Sequence, residues 1–261
     1  MTTQKPSIVL IHGAWHTTAA YRTLLDMLEA RGYPTVAPEL PSGAAETPPD
    51  PPEADIRCAA EAIRTLVEAP PQEGTGAGSG NQVIVIAHSY GGTVATEAVA
   101  GLGLRERQDR GLLGGVRMVI YVAAFVLQEG AYLDMYAPIE TVPWCEYQGN
   151  LKVFSPGRDI GAVFYPDLAP EERDKWLARC TKHPKVCSFY TPKTTSYDRV
   201  DVAYVFCERD EAFPLAGQKA MVQGLKERGV QFREATLDSG HFPMLSMPEA
   251  LANLVVQFIQ H

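Results

Sequence analysis

The chain has 261 residues, 46% of them hydrophobic and 21% charged, which suits one large α/β domain carrying an insertion. A formal net charge of −8, with no Lys/Arg cluster, argues against nucleic acid or an anionic membrane surface as a partner, because phosphate binding needs grouped cations. The five cysteines (Cys58, Cys145, Cys180, Cys187 and Cys207) are odd in number and lack zinc spacing. Reduced thiols are therefore expected, with Cys180 and Cys187 the one pair that could bridge.

The opening stretch MTTQKPSIVLIHGAW holds one short apolar run, Ser7–Ile11. A secretory signal needs a longer apolar region and a membrane helix about 20 apolar residues, so a cytoplasmic protein is expected. That run reads as the first strand, followed by an amphipathic helix over 20–31 and a second strand, TVAP, at 35–38. PSGAAETPPDPPEAD (41–55) is Pro-rich and reads as a surface loop before a helix over 55–68. APPQEGTGAGSGN (69–81) reads as a second, mobile loop. Then come a strand (82–87), a helix (92–102) and a strand (116–124).

From 128 to 200 no buried strand is evident, yet the segment carries Trp144, Phe154, Phe164, Tyr165, Trp176, Phe189, Tyr190 and Tyr197. Too apolar for a linker, it reads as an inserted, mostly helical cap. Beyond it lie strands at 202–207 and 230–236 and helices at 215–228 and 248–260, the last opened by Pro248. Continuous apolar runs are what strands buried on both faces look like, and their alternation with helices gives a doubly wound α/β fold. The expectation is a mainly parallel six-stranded sheet with helices on both faces. The core spans 1–127 and 201–261, with the cap at 128–200.

The chemistry is concentrated in AHSYGG, where strand turns into helix with almost no loop. A nucleophile elbow needs small residues two before and two after the serine, here Ala87 and Gly91 about Ser89, because the strained turn crowds strand against helix. A serine hydroxyl also needs a histidine to take its proton and a carboxylate to fix that histidine's tautomer. In doubly wound hydrolases the order along the chain is Ser, acid, His. ERDEAFP offers Glu208, Asp210 and Glu211, and DSGHFPML offers His241 just before the last helix. All of these fall at strand C-termini, where open α/β sheets place their ligands.

In that order, IHGAW, AHSYGG, ERDEAFP and SGHFPML resemble the stations of the α/β-hydrolase fold family over almost the whole chain. The resemblance implies Asp210, with Pro214 after it, as the acid, leaving Glu208 and Glu211 as solvated loop charges. Asp238 is expected only to salt-bridge nearby. It implies Ala14 and Tyr90 N–H groups as the oxyanion hole, His12 as a structural loop residue and His88 as packing. Trp15, His16, Phe125, Trp144 and Phe242 are the substrate-binding candidates. His183, in the polar stretch CTKHPK, reads as a solvated cap residue. Most of the cap aromatics are expected to pack, with two or three facing substrate.

Family members that cleave haloalkanes or epoxides carry Asp at the elbow, so Ser89 argues against both; cofactor-free peroxidases of the fold keep the triad. The first loop and cap resemble small plant-type esterases and hydroxynitrile lyases. The lyases have Thr after the first-loop His and Lys after the catalytic His, positions held here by Gly13 and Phe242, which favours acyl chemistry. The chain also resembles small hydrolases encoded with fungal polyketide pathways.

The leading expectation is a serine hydrolase of a small, largely apolar ester, lactone or thioester. It uses no metal or cofactor, a small molecule is its partner, and its oligomeric state is open between monomer and homodimer. Alternatives are a non-hydrolytic enzyme of the fold (C–C lyase, cyclase or isomerase) on a polyketide-like metabolite, and a ligand receptor that retains the triad.

Overall fold

The computed structural model describes residues 5–70, 80–197 and 199–260. In chain order the first elements are β1 (Ser7–Ile11), α1 (Arg22–Ala30), β2 (Thr35–Val36), α2 (Pro51–Glu68), β3 (Gln82–His88), α3 (Gly91–Ala98), α4 (Leu104–Asp109) and β4 (Gly115–Val122). There follow α5 (Leu133–Tyr136), β5 (Cys145–Gln148), β6 (Leu151–Phe154), α6 (Ile160–Phe164), α7 (Pro170–Leu177) and β7 (His183–Pro184). The chain ends with β8 (Asp201–Cys207), α8 (Leu215–Lys226), β9 (Phe232–Leu237), α9 (Pro243–Ser246) and α10 (Pro248–Gln260).

Six strands form one sheet in the order β2-β1-β3-β4-β8-β9, every adjacent pair parallel. Alternation along each strand divides its apolar run between two layers. Val9, Val83, Val85 and Val119 face α2, α3 and α8, while Ile8, Leu10, Ile84 and Ile86 face α1 and α10. Burying each such side chain contributes about 1.5–3 kcal/mol. This is the doubly wound architecture expected. Among the described residues no helix is long and apolar enough to cross a membrane.

Several boundaries differ from the sequence reading. The Pro-rich stretch 41–55 is not loop throughout, because α2 begins at Pro51. Pro51 and Pro52 occupy the first helical positions, where a missing N–H costs nothing and the fixed φ favours the turn. The helix expected over 92–102 stops at Ala98, and α4 follows as an unanticipated helix after Gly101 turns the chain at φ +76°. β4 ends at Val122 because Ala123 takes a left-handed φ of +44°. The mobile loop expected at 69–81 falls mainly on 71–79, outside the described residues.

Between β4 and β8 the main correction is a small antiparallel sheet in the order β5-β6-β7. Its strands are only two to four residues long and mix apolar with polar positions, so no continuous run announced them. Short helices α5, α6 and α7 surround it. The segment is mixed, with helices still the larger part. It packs onto the core through Trp15, whose Nε1 donates to Lys152 O at 3.0 Å and whose ring meets Trp144, Phe154 and Phe164 with centroids 5.3–5.9 Å away.

Because both layers rest on the central strands, Ile86→Ala should lower unfolding free energy by about 2–5 kcal/mol in urea titration. Val186→Ala, at a half-exposed position, should stay within about 0.5 kcal/mol. Equal effects at the two positions would contradict this account of the core.

Candidate active site

Ser89 follows β3 with φ +52°, a left-handed conformation that non-glycine residues rarely adopt, and α3 begins two residues later. The bend leaves no room beside it. A Cβ on Gly91 would lie 2.4 Å from Ile11 O and 2.7 Å from His12 O, so only glycine lets α3 start this close to β1. Ser89 remains partly exposed while Ala87 and His88 before it are fully buried. The turn lifts the hydroxyl out of the sheet.

His241 sits in the loop between β9 and α9. Its Nε2 lies 3.0 Å from Ser89 Oγ, which donates to it, and its Nδ1–H donates to Asp210 Oδ2 at 2.7 Å. Asp210 lies after β8, 3% exposed. Its Oδ1 accepts from Ala212 N and Phe213 N, both at 2.8 Å, and its Oδ2 accepts also from Gln218 Nε2 at 3.1 Å. These donors stabilise the ionised carboxylate in a fixed orientation. Three residues far apart in sequence therefore form one hydrogen-bonded row. Glu208 and Glu211 are exposed, and Asp238 pairs with Arg209 at 2.6 Å. Arg209 also reaches Asp167 Oδ1 at 2.8 Å, and Asp167 Oδ2 accepts from Gly240 N at 2.5 Å, which braces the His241 loop against the cap segment.

His88 does more than pack. Gly13 N donates to Tyr21 OH at 2.9 Å, Tyr21 OH donates to His88 Nδ1 at 2.8 Å, and His88 Nε2–H donates to His241 O at 2.8 Å. This relay ties the first loop to the His241 loop beneath the elbow. His12 closes the same loop on its other side, Nδ1–H donating to Gly13 O and Nε2 accepting from Leu40 N, both at 2.9 Å. His16 Nδ1–H donates to Ala14 O at 2.8 Å, and its Nε2 accepts from Tyr165 OH. Burial disfavours the charged form of each ring. It pushes His12 and His88 down and brings His16 to about 3, so all three are neutral at neutral pH.

Above Ser89 a narrow cavity is lined from both the core and the cap segment. The five substrate-binding candidates, Trp15, His16, Phe125, Trp144 and Phe242, all line it, as do Ala14, Tyr90 and His241. Neither Ala14 N–H nor Tyr90 N–H donates to a protein acceptor among the described residues, so both remain available to a ligand. Tyr90 OH is committed elsewhere, donating to the buried Asp55 Oδ2 at 2.8 Å and anchoring the elbow to α2. Of the eight cap aromatics, Trp144 and Phe164 reach the cavity.

His183 is not solvated. It is 2% exposed and lines the cavity, its ring 4.8 Å from Tyr90 and 5.1 Å from Trp15, and burial lowers its pKa to about 3. The β6–β7 pairing that draws it inward is the sheet the sequence did not reveal. Lys152, Ser188 and Gln218 were also missed, since nothing in their local sequence separates them from surface polar residues. Cys180 and Cys187 are both free thiols. Among the described residues no group of three or more His, Cys, Asp or Glu side chains is placed to hold a metal ion.

Residues 8–254 match the alpha/beta hydrolase family, and the chain belongs to it. The probable hydrolase R7 of Phoma sp. is 30% identical over 263 residues, covering 97% of this chain and 98% of its own. Among solved structures, a pyrethroid hydrolase from Sphingobium faniae JZ-2 superposes with a TM-score of 0.73 at 22% identity, covering 98% of this chain and 97% of that one. The methylesterase MES16 from Arabidopsis superposes at 0.71 with 20% identity, covering 98% and 99%. These two show likeness of fold.

The relay through Tyr21 yields a direct check. Tyr21→Phe leaves the buried Gly13 N–H and His88 Nδ1 without partners, which should cost about 1–3 kcal/mol of stability in denaturant titration. An unshifted midpoint would mean the relay holds nothing.

Proposed function

We propose that this member of the alpha/beta hydrolase family is a serine hydrolase of carboxylic esters, lactones or thioesters that works through an acyl-enzyme. The observation that carries the reading is the row Ser89 Oγ–His241–Asp210, with its donor and acceptor atoms in hydrogen-bond reach at 3.0 and 2.7 Å. In the first step Ser89 Oγ attacks the carbonyl carbon while His241 Nε2 takes the hydroxyl proton. Asp210 holds the Nδ1–H tautomer and stabilises the imidazolium that forms. The free Ala14 and Tyr90 N–H groups receive the oxyanion of the tetrahedral intermediate.

Collapse of that intermediate expels the alcohol or thiol, which takes its proton from His241. A water molecule then attacks the acyl carbon and gives a proton to His241, and Ser89 leaves with that proton restored. The apolar wall of Trp144, Phe125, Phe164 and Phe242 favours an uncharged body of substrate around the scissile bond. Two structural neighbours, a pyrethroid hydrolase and a methylesterase by name, accord with an ester substrate.

Treatment with a fluorophosphonate should add one adduct mass to the wild type and none to Ser89→Ala by intact mass spectrometry. No adduct on the wild type, or the same adduct on the variant, overturns the acyl-enzyme. Loss of Ser89 or of His241 should each lower kcat by about 10³-fold or more, and the double loss scarcely further, since the pair acts as a unit.

A further inference from the structure

Polar groups in this protein's interior are mostly well partnered, as the histidines beneath the elbow illustrate. The upper wall of the catalytic cavity is different. Lys152 on β6 is 5% exposed and lines the cavity that holds Ser89, yet its ammonium makes no hydrogen bond and no ion pair among the described residues. Its nearest aromatic partner is the Trp15 ring, with Nζ 5.9 Å from the centroid, at the far limit of a cation–π contact. Two acidic groups face it. Cys145 has its thiol pushed up to about 11 by burial and so carries no charge, and the Asp134 carboxylate already accepts from Tyr147 OH at 2.6 Å. Among the described residues no carboxylate lies within 4.0 Å of the ammonium.

Two more polar groups of the same segment line the cavity. His183 takes no hydrogen bond at either ring nitrogen among the described residues, and Ser188 Oγ is buried beside the Tyr147 hydroxyl with capacity for a further bond. Burial lowers the Lys152 pKa, and the Asp134 carboxylate, out of contact, offsets that cost only in part. An anion arriving in the cavity would offset the rest.

We propose that Lys152, with His183 and Ser188, forms an anion-recognising end of the catalytic cavity, so that the preferred substrate carries an anionic oxygen in addition to its scissile ester. A carboxylate and an ionised enol or phenol share that chemistry. Lys152 gives the charge-assisted hydrogen bond, and the neutral imidazole and the hydroxyl supply directional ones. The anionic group docks against the cap while the ester carbonyl meets Ser89, so Lys152 selects substrate without touching the reacting atoms. The inference rests on the hydrolase reading above and names the kind of ester that reading leaves open.

The test uses matched aryl esters whose remote end is a carboxylate, a phenolate-forming group of low pKa, or the corresponding carboxamide or methyl ether. Wild-type enzyme should favour at least one anionic member over its neutral partner by about tenfold or more in kcat/KM, chiefly through KM. Which arm responds identifies the oxygen acid. In Lys152→Met, which keeps the aliphatic stem against Trp15, that ratio should collapse towards one, and Lys152→Arg should restore part of it. Should Lys152→Met fail to fold, competition on wild type decides instead: the free remote-end acid must inhibit about tenfold better than its amide. No preference on wild type, or a preference that survives Lys152→Met, overturns the anion site while leaving the hydrolase intact. Failure to cleave any of the esters, charged or neutral, overturns the hydrolase reading itself.

Discussion

The whole site depends on one steric constraint, the close approach of α3 to β1 beneath the elbow. A Cβ on Gly91 would lie 2.4 Å from Ile11 O, so α3 starts at a distance from β1 that only glycine allows, and Ser89 just before it takes a left-handed conformation. A backbone strained in this way persists only where surrounding structure over-determines it. Here the determinants are the parallel pairing of β3 with β1 and β4, and the hydrogen bond from Phe125 N to Ser89 O at 3.1 Å. The sheet fixes the strand, the strand fixes the bend, and the bend exposes the hydroxyl.

The same compression explains why so many histidines crowd this end of the sheet without sharing a role. His12, His16 and His88 each donate from one ring nitrogen and accept at the other, an arrangement open only to a neutral imidazole. Burial strengthens that preference by penalising the cation. His88 hydrogen-bonds the first loop, through Tyr21, to the loop carrying His241, and the His16 ring packs on Phe242 beside it with centroids 4.2 Å apart, so the two loops are held together. His241 is the exception, because its Nδ1 faces a carboxylate that stabilises positive charge when it forms. Four rings of one chemical type are thus set apart by their partners.

That division also marks what sequence could and could not convey. Ser89, Asp210 and His241 were legible because each sits in a short local pattern at a strand end, and chain order supplied the rest. The strands of the main sheet were legible from unbroken apolar runs, buried on both faces. The cap sheet was not. β5, β6 and β7 are short, half-exposed and paired antiparallel across gaps that no local pattern encodes. His183 was misread for that reason, since CTKHPK is polar in composition and becomes interior only when β7 pairs with β6. Gln218 was missed because its contact with Asp210 arises from where α8 starts, a tertiary fact. His88 was underread because its partners, Tyr21 and His241 O, come from opposite ends of the chain.

Floor and roof of the cavity therefore obey different rules. On the floor, Asp210 takes four hydrogen bonds and each scaffold histidine two, so the groups are held before any ligand arrives and reorganise little when charge develops. On the roof, the Lys152 ammonium and the His183 ring are buried without a hydrogen bond among the described residues. Stability alone would favour apolar groups at these positions, like Trp144 and Phe164 beside them. On the reading proposed above, the satisfied polar groups serve hydrolysis and the unspent ones the anionic end of the substrate. The roof is built from the segment whose short strands carry the weakest sequence signal, so the groups the proposal assigns to specificity lie where the pattern is hardest to read.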